Sequence, residues 1–223
     1  MRRFRAPALP EAGGELTLEE ASSHHLLRVV GIGKGEVVEL FDGEGRRALA
    51  TLERTAGGRA VMVAEAASLP APRLERWLLV ALVKHEAFDL ILRMATELGA
   101  TSIVPWLAAR SVARGDRQDR WLRILEAATA QCGRADLPEL RAPAPLSAAL
   151  AGLPEGLARR VYTPGGARLP APAGSAALLL GPEGGLTDLE LASALDAGFE
   201  AESLGESVLR ADTAAAVALG RLL

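Results

Sequence analysis

The spacing of hydrophobic positions changes character near residue 70. Before it, "EVVELFDGEGRRALATLERTAGGRAVMVAEA" alternates apolar and polar residues in three short runs, broken at Asp42-Gly43, Gly45 and Gly57-Gly58. Such breaks are hairpin signals, so the runs predict three strands. Ahead of them, "TLEEASSHHLLRVVGIGKG" reads as a short helix and a glycine-rich turn. Short strands at close spacing predict a small barrel. "SLPAPRLE", 68–75, brings two prolines and interrupts the period, which marks it as the expected linker.

Beyond the linker the pattern alternates between two periods. "RWLLVALV" is a buried strand, and "EAFDLILRMATELGA" places Phe88, Ile91, Ala95 and Leu98 at helical spacing with Gly99 as its stop. "TSIVPWLA" is strand-like. "RQDRWLRILEAATAQCGR" is helical, with Trp121, Ile124, Leu125 and Ala128 on one face. "LSAALAG" predicts a short helix, "RRVYTP" a strand, "GGARLPAPAGS" a loop and "AALLLG" another strand. "TDLELASALDAG" is a helix opened by Thr187 and Glu190 at capping-box spacing. "EAESLG" is a weak strand, and "DTAAAVALGRLL" closes the chain as a helix. Repeated strand–helix units predict an α/β domain whose mostly parallel sheet is covered by helices on both faces. Ligands bind beyond the carboxyl ends of such strands. The glycine-bearing turns at 181–185 and 204–206 both fall there.

Composition narrows the class. With 49% hydrophobic residues the chain has material for a buried core. A net charge of -3 and a pI near 5.7 give no overall basic field, so a nucleic-acid partner would need a local patch. A single cysteine, Cys132, excludes an intramolecular disulfide and suits a reducing compartment. The N-terminus lacks the apolar core of a signal peptide, and no apolar run approaches the ~20 residues that span a bilayer. The expectation is a soluble, cytoplasmic protein without a membrane partner.

The unusual chemistry lies in "LLLGPEGGLTDLE", where an apolar strand runs into Gly-Pro-Glu-Gly-Gly and then a helix start. Glycines at such a turn either let a ligand approach bare backbone or simply make a tight turn with Glu183 in solvent. A phosphate cradle favours neutral or cationic neighbours, and this loop has neither the Walker lysine nor the G-x-G-x-x-G spacing. Glu183 would repel a phosphate. Hydroxyls or a positive centre suit a carboxylate better, as in S-adenosylmethionine with its ribose diol and sulfonium. In the second turn, "SLGESVLRADTA", Arg210 either pairs with Asp212 or anchors an anionic group.

Five arginines lie between 110 and 123: Arg110, Arg114, Arg117, Arg120 and Arg123. Asp116–Arg120 and Asp119–Arg123 stand four apart, as on a solvated, salt-laced helix. Arg2, Arg3, Arg5, Arg28, Arg46 and Arg47 form a second basic set in the first domain. His24, His25 and His85 have no cysteine or carboxylate partners at metal-ligand spacing, so no metal is expected. Cys132 has no evident base, and no catalytic triad is discernible.

Read together, "LLLGPEGGLTDLE" and "SLGESVLRADTAAAVAL" resemble the C-terminal signature of the RsmE-type 16S ribosomal RNA uridine-N3 methyltransferases. "ATELGATSIVPWLAARS" and "RILEAATAQCGRADLPEL" resemble that family's central motifs, and "MRRFRAP" with "HHLLRVVGIGKGEVVELFDGEG" its N-terminal ones. The resemblance implies a PUA-like RNA-binding barrel over 1–70 and, over 71–223, a SPOUT-superfamily α/β domain with a trefoil knot. It implies a homodimer that uses S-adenosylmethionine to methylate N3 of a specific uridine, number 1498 in standard numbering, of 16S rRNA in the small ribosomal subunit. The implied cofactor residues are Thr163, Pro164, Leu180, Gly181, Pro182, Glu183, Gly184, Gly185, Leu204, Gly205, Val208, Leu209, Arg210 and Thr213. Arg210 is also the expected catalytic group, and RNA contacts are expected at Arg2, Arg3, Arg5, Arg28, Arg110 and Arg134. Two positions depart from the family pattern. Glu206-Ser207 stands where proline-arginine is usual, and Asp212 stands where glutamate is. Losing an arginine at Ser207 keeps an alternative open, a non-catalytic RNA-binding assembly factor on the same fold.

Overall fold

The structure is a computed structural model of the chain that describes residues 1–111 and 117–223, His85 by its backbone only. Arg114 and Asp116 of the charged run lie outside the described residues. The described residues form two compact units, one of 1–72 with 129–137 and one of 73–128 with 138–223. The first unit is therefore discontinuous in sequence.

In the first unit, strands β1 (Arg3–Arg5), β2 (Glu15–Thr17), β3 (Val37–Phe41), β4 (Arg47–Ala56) and β5 (Arg59–Ala64) pair in the order β1-β3-β4-β5-β2. Only the β1–β3 pairing is parallel. Period-2 alternation turns Ala48, Ala50 and Leu52 of β4 and Ala60, Met62 and Ala64 of β5 inward, against Phe4, Leu18, Leu26, Val38 and Leu40. The three-residue strands β1 and β2 are too short to show this period, and the pattern along the chain does not reveal them. Helix α1 (Glu20–His24) runs straight into a π-helical stretch, His25–Val30. Buried Ser23 fastens it: its hydroxyl donates to the Leu18 carbonyl at 3.0 Å and accepts the Ala60 N–H at 3.1 Å. Segment 129–137 joins this unit through backbone bonds from Gly43 and Gly45 to the Ala135 carbonyl, both 3.1 Å.

The second unit contains β6 (Arg76–Ala81), α2 (His85–Glu97), β7 (Ser102–Leu107), α3 (Gln118–Cys132) up to Ala128, β8 (Glu139–Leu140), β9 (Ala144–Pro145) and α4 (Leu146–Ala151). It continues with β10 (Ala158–Ala167), β11 (Ala176–Leu180), α5 (Asp188–Asp196), β12 (Glu200–Glu202) and α6 (Ala211–Gly220). Its strands pair in the order β12-β10-β11-β6-β7-β8, with β9 also on β7, and every pairing is parallel. The central strands are buried almost throughout, which is why they read as unbroken apolar runs. α2 buries Phe88, Ile91 and Ala95 as their spacing predicts, with Leu92 beside them, whereas Leu98 caps the helix and is half-buried.

One element differs from the sequence expectation. β10 does not end at Pro164 but continues to Ala167, and Tyr162 and Ala167 both register with Glu202 of β12 across a bulge. A Cβ at Gly166 would stand 2.6 Å from the Glu202 carbonyl carbon, so only glycine lets the strand return this close to β12. The stretch looked like loop because its glycines answer to a neighbouring strand and not to a local turn.

Candidate functional site

The carboxyl ends of β10, β11 and β12 open onto one cavity of about 340 Å³, within the range of small-ligand sites. The bulged stretch 163–165 of β10 and the loops 181–186 and 203–209 wall it. Of the residues expected to hold a cofactor, Thr163, Pro164, Leu180, Gly181, Pro182, Glu183, Gly184, Gly185, Leu204, Gly205, Val208 and Leu209 line it, whereas Arg210 and Thr213 do not. Tyr162, Gly165, Leu186, Ser203, Glu206, Ser207, Ala211 and Ala214 line it as well. Sequence reasoning passed over the last two because small apolar residues opening a helix look like ordinary packing.

The glycine loop is held by its neighbours on both sides. The Gly185 N–H closes a turn on the Pro182 carbonyl at 2.8 Å, with Gly185 at φ 71°, a left-handed value that favours glycine. Thr187 and Glu190 then form the expected capping box: the Thr187 hydroxyl accepts the Glu190 N–H at 3.2 Å, and the Glu190 carboxylate accepts the Thr187 N–H at 2.7 Å. Burial alone would raise the Glu190 pKa. Hydrogen bonds from the backbone of Thr187 and Ala109 and the Thr187 hydroxyl, with the charge of Arg110, instead hold it below the usual carboxylate range. Beneath the loop, the buried Trp106 indole N–H donates to the Leu180 carbonyl at 3.2 Å, fixing the end of β11.

Among the described residues no lysine or arginine lines the cavity, while the exposed Glu183 and Glu206 do. That charge balance is wrong for a phosphate-bearing ligand and right for one with hydroxyls and a positive centre. Carboxylates accept hydrogen bonds from a diol, and bare glycine backbone admits a flat ring. On the floor, Tyr162 is buried, and its hydroxyl has no hydrogen-bond partner among the described residues. Burial pushes its phenol pKa up, as does the nearby Glu202 carboxylate, against the opposing charges of Arg221 and Arg160. Glu202 is itself fully buried, 2.7 Å from Arg221 and 3.5 Å from Arg160.

Arg210 stands outside the cavity wall. Its guanidinium reaches Asp212 at 3.1 Å, the pairing that its position two residues earlier suggested. Asp212 is largely buried. Burial would raise its carboxyl, but the Thr213 N–H at 2.7 Å and Arg210 outweigh this and hold it below its ordinary value.

The arginines expected at RNA are variously engaged. Arg2 is exposed and donates to the Val30 carbonyl at 3.3 Å, Arg3 pairs with Glu39 at 2.8 Å, and Arg5 is half-buried. Arg28 is exposed on a second, open hollow of the first unit that also carries His24, His25 and Arg59. Arg134 pairs with Asp136. Arg110 is bonded to the glycine loop. Arg120 bonds Asp89 of α2 through both Nε, at 3.1 Å, and Nη2, at 2.6 Å. Among the described residues no group of histidine, cysteine and carboxylate side chains is placed to hold a metal, and no helix is long and apolar enough to cross a membrane.

Residues 70–223 match the family described as RNA methyltransferase domain, and 18–61 the one described as RNA methyltransferase PUA domain. A ribosomal RNA small subunit methyltransferase E from Synechocystis is 38% identical over 93% of this chain and 72% of its own length. Its namesake from Mycobacterium bovis is 35% identical over 97% of this chain and 89% of its own. The crystal structure of a ribosomal RNA small subunit methyltransferase E from Neisseria gonorrhoeae bound to S-adenosyl methionine superposes with a TM-score of 0.90 at 28% identity, covering 98% of this chain and 95% of that one.

Proposed function

The chain belongs to the ribosomal RNA small subunit methyltransferase E family, a SPOUT methyltransferase domain behind a PUA domain, and from that premise we propose that it methylates N3 of one uridine in 16S rRNA, number 1498 in standard numbering, using S-adenosylmethionine. The observation that carries the reading is the cavity beyond β11 and β12 and beside β10, walled by glycine backbone and carboxylates and with no cation among its described lining residues. S-adenosylmethionine, when bound, supplies an electrophilic methyl group on a sulfonium. Glu183 and Glu206 are placed to accept hydroxyl hydrogen bonds and to balance that positive charge, while the turn Pro182–Gly185 presents backbone at close range.

Uridine N3 carries a proton that must leave before the nitrogen can attack. The chain's main contribution is alignment of nucleophile and methyl group, an effect worth up to ~7–11 kcal/mol. Arg210, exposed at the start of α6, is the group we assign to the uracil carbonyls, where its charge favours the imide anion. The target base must be unpaired or flipped, because a duplex occupies its Watson–Crick edge.

The same reading makes the first unit the RNA-binding module and the second a trefoil-knotted domain working as a cytoplasmic homodimer on the small ribosomal subunit. Two features support the dimer and the knot. Leu189, Leu195, Val208, Val217 and Leu223 are exposed apolar side chains of the kind a second copy covers. The strand order also inserts β11 between the earlier strands β10 and β6, so the chain returns to the middle of its own sheet. A second reading, an assembly factor without turnover, is favoured by Glu206-Ser207, which put a carboxylate and a hydroxyl on the cavity wall where the family usually has an arginine.

One experiment separates them. Small subunits from a strain lacking the gene are incubated with labelled S-adenosylmethionine and the protein, and their nucleosides are analysed by mass spectrometry. The expected product is 3-methyluridine. Retention on the subunit with no methyl transfer would assign the chain to the assembly factor.

A further inference from the structure

Arg110 leaves β7 in the loop toward α3 and turns its side chain back onto the glycine loop. Its Nη1 donates to the carbonyl of Gly184 at 2.9 Å and to that of Leu186 at 3.2 Å. Its Cβ stands 3.2 Å from where a side chain on Gly184 would begin, so the arginine lies across the space that any larger residue there would need. One residue earlier, the Ala109 N–H donates at 2.8 Å to Glu190, the carboxylate that caps α5.

These contacts determine peptide planes. In a trans peptide the carbonyl of one residue and the N–H of the next point in opposite directions. Holding the Gly184 carbonyl toward Arg110 therefore directs the Gly185 N–H away, where it closes its turn on Pro182. Holding the Leu186 carbonyl directs the Thr187 N–H onto Glu190, at 2.7 Å. Both planes are fixed at both ends. Without such a clamp, adjacent glycines would sample many conformations and the cavity wall would have no single shape.

We propose that Arg110 is a positioning residue of the cofactor cavity, holding the Pro182–Leu186 loop in its ligand-receiving shape through the Gly184 and Leu186 carbonyls, and is not an RNA contact. The proposal rests on reading the cavity as the S-adenosylmethionine site. It also joins the segment just after β7 to the cavity wall.

The test is calorimetric binding of S-adenosylhomocysteine to the wild-type protein, Arg110→Ala and Arg110→Lys, followed by methyl-transfer kinetics on small subunits. Loss of a charged donor serving two carbonyls should weaken binding about tenfold in Arg110→Ala and raise KM for S-adenosylmethionine in parallel, leaving KM for RNA within about twofold. Arg110→Lys keeps a charge and three donors and should recover part of the affinity, which a general loss of structure would not allow. Should the alanine variant not fold, the lysine variant alone carries the comparison with the wild type. Unchanged S-adenosylhomocysteine affinity with a raised KM for RNA would overturn the proposal and return Arg110 to the RNA interface. No binding by the wild-type protein would instead overturn the reading of the cavity itself.

Discussion

Arg210 and Asp212 divide one ion pair unequally between solvent and interior: the arginine side chain is 78% exposed and the aspartate 10%. The carboxylate is held by the Thr213 N–H and is part of the start of α6, whereas the guanidinium stands outside the cavity wall with most of its surface in water. A group so placed contributes little to an exposed ion pair and is available to an incoming base. Arg210→Ala is therefore expected to lower kcat about a hundredfold while S-adenosylhomocysteine affinity stays within about twofold, the pattern of an interaction made on the reacting base. Parallel losses in turnover and affinity would move Arg210 to the cofactor. The sequence offered both roles for this residue, and the structure shows its pairing with Asp212 together with its exposure. Gly185 was more legible, because a glycine pair after a strand already suggests a left-handed turn.

At the level of elements, α5 was readable to its first residue, since Thr187 and Glu190 form the capping box that their spacing predicts. The third bond of Glu190, from Ala109, 81 positions earlier in the chain, had no local signal. This carboxylate carries a pH dependence with a definite sign. Its pKa is depressed in the folded protein, so its stabilisation is complete above the ordinary glutamate range and is lost as pH falls through the lowered value. Glu190→Ala should cost about 1 kcal/mol near neutral pH, and denaturant melts repeated toward acid should show the gap to wild type closing. A gap that stays constant with pH would remove the ionised carboxylate from the account. β10 shows the opposite case: its last three residues are strand because Gly166 fits against Glu202, a condition absent from the local sequence.

For the whole molecule, the second unit leaves Leu189 and Val208 about four-fifths exposed, at 81% and 80%, on or beside the loops that wall the cavity. A monomer working alone would leave that surface in water. Light scattering coupled to size exclusion is expected to give twice the 23.3 kDa chain mass. A single-chain mass at micromolar concentration would rule out the homodimer as the working state.

By itself the sequence determined the class of each half, because strand and helix periods are properties of neighbouring residues: period-2 runs before residue 70, alternating strands and helices after it. It also determined the two glycine turns and the chemistry they favour. Tertiary structure decided what depends on distant segments meeting. The segment 129–137 joins the first unit through Ala135, β11 enters between β10 and β6, Tyr162 and Glu202 are buried, and Arg110 is bonded to carbonyls of the glycine loop. Arginine has the same charge in every context. Whether it reaches RNA, a carboxylate or a backbone carbonyl is fixed by what the fold brings within three ångströms of it.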